Sequence, residues 1–442
     1  MGVNVDATDE TVSPTGSPNL LGPRLAVPRM GVAPTEKKPA WFIAGLSLAQ
    51  FALFVALLGP VMVSMQLKIN TLVSEPAEQA AMIGRVLPLG ALAAVIGNAL
   101  FGRLSDRTTS RLGRRRPWVI GGTVVLTLAL GLLALATKEW MLTLGWFIAQ
   151  LGANAAFSPF MATLADQLPD EQYAKTSALL GIMQNLGVMV VTWLATFLAD
   201  NMLSLFMVPA LIGLVGMVVY ALMIPDPVLL KNRHPFDLKT VIGTFWTNPL
   251  RFPDFGLAWW GRFFITFGSF LFTTFRLQYM TQHLKLDVHA ATAAVATGVT
   301  IYTVVLMAAS YAAGWLSDRT GKRKFLVVAS TALFAVGLVS LYFADSVTGF
   351  YIAEVIMGIA FGIYVAVDLA LVLEVLPDPK DAGKDLGVFN MANALPQSLA
   401  PAVGGWLVAS LGGGTEFLPL LMVAGVVTFV GALVIIPIKK VS

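Results

Sequence analysis

From Trp41 onward the chain runs apolar in long stretches, broken by short clusters of charged residues, Pro or Gly. Between those breaks lie runs at 41–66, 80–104, 117–137, 140–165, 176–199 and 203–224. A second set follows at 256–280, 290–316, 325–344, 348–374, 386–410 and 416–437. A helix needs about 20 apolar residues to cross a hydrocarbon core of ~30 Å, so each run predicts a transmembrane helix. A membrane β-barrel would instead alternate polar and apolar residues over segments of ~10, and these runs do not alternate. The pattern predicts an all-α integral membrane protein of twelve transmembrane helices in two sets of six.

The polar segments complete the domain plan. Residues 1–39, rich in Pro, Gly, Ser and Thr and lacking an apolar h-region, predict a disordered tail with no cleavable signal peptide. The first apolar run then serves as an uncleaved signal anchor. Residues 40–224 form the first six-helix half, 225–255 a polar linker and 256–438 the second half.

Composition narrows the class. Hydrophobic residues make up 57% of the 442 and charged residues 12%, where a soluble domain carries about a quarter charged. Neither disorder as the dominant state nor a disulfide scaffold fits, because the apolar content is high and there is no Cys. The net charge of +4 is a signal of sidedness rather than a nucleic-acid footprint. With both termini inside, 23 of the 29 Lys and Arg fall on the cytoplasmic side, the asymmetry expected of a multi-pass protein of the cell membrane.

The two sets repeat each other. Gly102-Arg103-Leu104-Ser105-Asp106-Arg107 returns 212 residues later as Gly314-Trp315-Leu316-Ser317-Asp318-Arg319. The basic clusters that follow also correspond, Gly113-Arg114-Arg115-Arg116 with Gly321-Lys322-Arg323-Lys324. Ala165-Asp166-Gln167-Leu168-Pro169-Asp170 likewise matches Leu373-Glu374-Val375-Leu376-Pro377-Asp378, 208 residues on. Both copies keep the same sidedness, so the repeats are parallel, related by an axis along the membrane normal.

These residues resemble the major facilitator superfamily, whose hallmark is G-x-L-(S/A)-D-R with a basic cluster between spans 2 and 3, echoed between spans 8 and 9. Arg111-Leu112-Gly113-Arg114-Arg115-Arg116-Pro117 is similar to the signature of the glycoside-pentoside-hexuronide and sucrose-carrier branch, as is Ala162-Thr163-Leu164-Ala165-Asp166 at the end of span 4. The chain departs from both neighbours. Phe160 and Met161 stand where sucrose carriers place an Arg, and span 2 has Arg85 where melibiose-type carriers place carboxylates. The resemblance implies secondary active transport by alternating access, with proton-coupled symport of a sugar or glycoside. The alternative is a proton-coupled exporter of a drug-like or metabolite compound, for which Pro401-Ala402-Val403-Gly404-Gly405 is a partial echo of antiporter motifs.

Candidate chemistry follows from the scarcity of charge. Asp106, Arg107, Arg114, Arg115, Arg116 and Asp166 in the first half, with Asp318, Arg319, Lys322, Arg323 and Glu374 in the second, sit at the membrane edge. There the Asp106 cluster is expected to act as a gate that pairs across the halves in one state, or as a topology anchor, while Asp166 and Glu374 are expected to pair with the basic cluster of a neighbouring loop as structural parts of the gate. Asp368, alone in an apolar stretch, must find a cation or a proton and is a candidate for ion coupling. Glu354, 14 residues earlier, is a second candidate but stands ~21 Å away at ~1.5 Å per residue and is expected near the outer interface. Arg85 and Arg276 are expected to snorkel outward, while Arg262, in an aromatic stretch near the inner end, either snorkels inward or is a candidate ligand-binding cation.

Amides supply the candidate sugar contacts: Gln50, Gln150, Asn154, Gln184, Asn185, Asn390, Asn393 and Gln397, several at helical one-face spacing. Tyr364, Trp146, Phe157 and Trp193 are expected to offer flat faces to a sugar ring. The same amides also suit interhelical bonding. His234, His283 and His289 are dispersed, and the Gly-rich patches lack a P-loop Lys. The sequence therefore points to no enzyme, cofactor or metal. Its expected partners are a small-molecule substrate, protons and the bilayer, with no nucleic acid and a monomeric state.

Overall fold

The computed structural model describes residues 36–226, 251–376 and 382–439. Most of the tail and of the linker, and the Pro377-Asp378 end of the second repeated motif, lie outside the described residues.

The first half contains α1 (Ala40–Leu72, with a π-turn at Pro60–Ser64), α2 (Pro76–Asp106), α3 (Arg116–Leu135), α4 (Glu139–Gln167), α5 (Asp170–Leu198) and α6 (Met202–Met223). The second contains α7 (Pro253–His283), α8 (Val288–Thr320), α9 (Arg323–Phe343), α10 (Val347–Val375), α11 (Ala382–Trp406, continued by a π-turn at Leu407–Leu411) and α12 (Leu418–Ile435). Ten of these are long and apolar enough to cross a membrane. The other two, α4 and α11, carry the amides Gln150, Asn154, Asn390, Asn393 and Gln397, which lower their hydropathy. There is no strand among the described residues.

Backbone chemistry explains the ends and the irregularities. Asn201 and Asp287 cap α6 and α8 by accepting from Ser204 N and Ala290 N, donors a helix cannot satisfy internally. Hydrogen bonding by backbone amides holds the Asp287 carboxyl below the usual carboxylate range. Gly321, at φ 67°, ends α8 in the left-handed conformation that glycine adopts without strain. Pro60 begins the π-turn of α1, a common way to absorb a proline inside a helix.

The packing repeats with the sequence. Within the first half α2 and α3 pack on α4, α1 on α5 and α6, and α3 on α6. Adding six to each number gives the contacts of the second half. Between the halves α2 meets α11 and α5 meets α8, two contacts that exchange under the same shift. The 208-residue offset holds at both ends of α4 and α10, each 29 residues long.

The halves are clasped at the end remote from the Asp-Arg motifs. Gln66 Nε2 donates to Thr274 O, Gln278 N donates to Gln66 Oε1 (3.1 Å), and Gln278 Nε2 donates to Pro76 O (2.9 Å). Here α2 and α11 touch backbone to backbone. A Cβ on Gly405 would stand 2.6 Å from Gly84 Cα, so this approach requires glycine. The antiporter-like glycines are thus engaged in packing, with Gly404 against the Phe275 ring.

Candidate functional site

Two ion pairs join α7 to α10 inside the second half. Arg262 Nη2 lies 2.5 Å from Asp368 Oδ2, and the guanidinium sits 4.5 Å above the Phe389 ring. Arg276 Nε lies 3.2 Å from Glu354 Oε1, with its guanidinium 5.3 Å from the Phe272 ring. The partners are 14 residues apart on each helix, and the helices run in opposite directions, so the pairs form two rungs separated by ~21 Å. Each answers the same constraint, since an ionised group in hydrocarbon must be paired or neutralised.

Two expectations are corrected here. Glu354 is not interfacial but wholly buried, at 0% exposure, and Arg276 does not snorkel outward but turns inward to meet it at 6%. On span 10, Glu354 lies one turn after Phe350, whose ring fills the space left by the absent side chain of Gly298 on α8. Arg85 is exposed, pairing with Glu78 and Glu139 at the surface. In the first half the positions 208 residues earlier are Trp146 and Phe160, both buried and apolar, so the rungs belong to one half alone.

A cavity of about 100 Å³ opens between the halves. Its polar lining is Asn185 of α5, Ser269, Thr273 and Arg276 of α7, and Tyr302 and Thr303 of α8. Met62, Phe272, Phe334, Leu338 and Met357 are among its apolar walls. Sequence reasoning missed the hydroxyls, because isolated Ser and Thr in an apolar helix satisfy themselves on their own backbone and carry no periodic signal.

The amides do not converge on this cavity as a set. Asn185 lines it, with Nδ2 donating to Gly181 O (2.9 Å). Asn154 lies in the α2–α4 seam against Gly97 and donates to Gln150 O (2.9 Å). Gln50 and Gln150 are buried, and the Gln50 Oε1 has no partner among the described residues. Gln184 is half-buried. Asn393 Oδ1 accepts from Thr266 Oγ1 (3.4 Å), tying α11 to α7, while Asn390 and Gln397 are exposed. Tyr364 is buried one turn before Asp368.

The expected aromatic platforms are also reassigned. Trp146 is buried against Gly90 in the α2–α4 seam, and Phe157 packs edge-on to Phe54 (5.7 Å). Trp193 Nε1 donates to Thr300 Oγ1 across the halves (3.0 Å). None of the three lines the cavity.

At the motif end, Arg115 is the hub of the first half. It contacts Asp106 (2.6 Å) and Asp166 (3.1 Å) and donates to Ser105 Oγ (2.6 Å), while Arg114 pairs with the same Asp166 oxygen (2.8 Å). Asp226 accepts from the backbone N–H of Arg115 (2.7 Å) and Arg116 (2.8 Å), and Arg116 Nη2 donates to Ile224 O. The second half repeats this sparsely. Arg323 pairs with Glu374, and Lys324 donates to Ile438 O (3.0 Å). Asp318 and Lys322 are exposed, and Arg319 stacks over Trp315 (5.3 Å). In this conformation these pairs close within each half, with Asp166 and Glu374 each meeting the basic cluster that follows the repeated Asp-Arg motif. Arg107 is half-buried beside the hub. No group of three His, Asp or Glu able to hold a metal ion occurs among the described residues.

Solved structures with this architecture include a point mutant of the nucleoside transporter NupG (TM-score 0.73, 16% identity, 90% of this chain and 100% of that one). Another is a bacterial homolog of the human lysosomal transporter Spinster in an inward-facing, unoccupied conformation (TM-score 0.69, 15% identity, 90% and 97%). At such identities the likeness is one of fold. Curated relatives match over short stretches. An uncharacterized symporter of Synechocystis sp. is 40% identical over 63 residues, 14% of this chain and 10% of that protein. The uncharacterized MFS-type transporter YfiU of Bacillus subtilis is 30% identical over 111 residues, 25% and 21%. The matches thus span about a tenth and a fifth of those relatives. The Major Facilitator Superfamily model matches residues 40–295 and again 258–441, two overlapping stretches that together span both sets of helices. Fold, repeat and family model agree that this multi-pass membrane protein belongs to the Major Facilitator Superfamily of transporters.

Proposed function

We propose that the chain is a secondary active transporter that carries a hydroxylated, sugar-like solute inward with a proton by alternating access. The observation that carries this reading is the cavity between the halves, lined by hydroxyls, an amide and the cation of a buried Arg–carboxylate pair. Hydroxyls and amides both donate and accept, which suits a polyol. A carboxylate held by a cation inside the bilayer suits proton uptake and release. In this reading Asp368 and Glu354 are the coupling groups, and the Arg115 and Arg323 clusters are gates. The protein acts as a monomer in the cell membrane, with the basic motif end in the cytoplasm, as the distribution of Lys and Arg supports. The far-end clasp then makes the conformation described here one closed to the outside.

The test is radiolabelled uptake into proteoliposomes with an imposed pH gradient, screened across monosaccharides, pentosides and disaccharides. Accumulation that collapses when the gradient is dissipated supports symport. Extrusion of dye-like compounds with no sugar signal would transfer the assignment to export. Asp368→Asn should abolish gradient-driven accumulation while leaving exchange at equal concentrations intact.

A further inference from the structure

Of the two rungs between α7 and α10, the one at the cavity is the looser. Arg276 lines the cavity, and its Nε approaches Glu354 at 3.2 Å, against 2.5 Å for the Arg262–Asp368 pair. Neither oxygen of Glu354, nor the Arg276 Nε, makes a hydrogen bond among the described residues. Glu354 is nevertheless fully buried. A buried carboxylate without hydrogen bonds is costly and calls for a role in another state.

The cavity also limits what can enter. At about 100 Å³ it is smaller than the roughly 150 Å³ cavity that admits benzene, so one end of a sugar-sized solute fits rather than the whole. A guanidinium fork with uncommitted donors, beside the hydroxyls of Ser269, Thr273 and Thr303, matches a carboxylate. A neutral hydroxyl end would leave that desolvated cation with weaker partners.

Charge counting then connects binding to the proton. Arg276 and Glu354 together are neutral. A carboxylate that takes over Arg276 leaves one uncompensated negative charge between the Phe272, Phe334 and Leu338 walls, which a proton on Glu354 removes. The groups facing Glu354 are Arg276 from α7 and Tyr302 from α8. From the other elements around the cavity, α9 presents Phe334 and Leu338, α5 Asn185 and Val188, and α1 Met62.

We propose that the cavity is a subsite for the carboxylate end of a hydroxylated acid, and that Arg276 passes from Glu354 to that carboxylate as Glu354 gains one proton. The loaded carrier therefore moves one proton with one anion and no net charge. This rests on the reading of the chain as a solute transporter with a proton-coupled cavity.

The experiment compares uptake of radiolabelled glucuronate and glucose by the full chain in proteoliposomes. A pH gradient and a valinomycin-set potassium potential are imposed separately. Glucuronate is expected to exceed glucose by about 10- to 100-fold, the factor carried by one charge-assisted hydrogen bond. The pH gradient should drive its accumulation and the potential should leave it unchanged. Glu354→Gln should still carry glucuronate, now independent of pH and bearing one negative charge. Its accumulation should then rise about 50-fold for an interior 100 mV positive.

Glucose accumulation with glucuronate inert would overturn this inference and leave the transport reading standing. So would glucuronate uptake that responds to the potential in the unmodified protein, a measurement independent of whether the variant folds. Movement of neither solute, with the protein monodisperse, would count against both.

Discussion

Arg115 and Arg323 occupy the same place in the two repeats, yet their loss should cost different amounts. Arg115 exposes 4% of its side chain and holds Asp106, Asp166 and Ser105 together, whereas Arg323, at 30%, meets Glu374, itself 37% exposed. Removing one partner of a fully buried pair costs about 3–5 kcal/mol, mostly for the charge left behind. After Arg115→Gln, Asp166 keeps Arg114 at 2.8 Å and Asp106 is 34% exposed, which reduces the expected loss to roughly 2–3 kcal/mol. For Arg323→Gln solvent screens both partners, and the loss should stay below about 1 kcal/mol. Equilibrium unfolding of micelle-embedded protein by SDS titration, followed by circular dichroism, reads both numbers. Equal losses, or a loss for Arg115→Gln under about 0.5 kcal/mol, would refute the claim that burial makes the first-half cluster the structural hub.

Other perturbations test other parts of the argument. Arg262→Gln strands Asp368, 4% exposed, and should cost about 3–5 kcal/mol. Adding Asp368→Asn should restore most of it, and a double variant as unstable as the single one would speak against direct pairing. Gly113→Ala places a Cβ 2.3 Å from Asp226 Oδ2 at φ 102°, so it should lower the unfolding midpoint by the equivalent of about 1–3 kcal/mol. Gly405→Leu cannot close against Gly84. Because the chain has no Cys, a single Ala80→Cys reporter, buried beside Gly405, can follow this: an impermeant maleimide applied at the far side should label it in the Gly405→Leu background much faster than alone. Asp106→Asn, which removes a partner of Arg115, should slow turnover more than it weakens substrate affinity in uptake kinetics. Unchanged turnover with normal insertion would remove the motif from the gate.

The order of apolar runs was enough to place the twelve helices within a few residues, because a bilayer imposes one length and one polarity on every crossing. The Asp-Arg clusters were legible because each recurs at a helix end at nearly the same offset, although the second half pairs its charges more sparsely than the first. The partnerships of the buried ions were harder to read. Arg276 with Glu354 and Arg262 with Asp368 lie 78 and 106 positions apart, and spacing on one helix says nothing about which neighbour faces it. The amides misled in the same way, since helical periodicity puts Gln150 and Asn154 on one face without saying that the face is a seam with α2.

The sequence alone therefore determined the class, the twelve-helix repeat and the distribution of charge toward one end, all consequences of what hydrocarbon excludes. Tertiary structure decided which charges meet, that the rungs lie in the second half only, and that hydroxyls from α7 and α8 rather than the amide set surround the cavity. Those outcomes depend on the rotation of each helix about its own axis. Packing against neighbours sets that rotation, and a uniformly apolar stretch records little of it in its residue order.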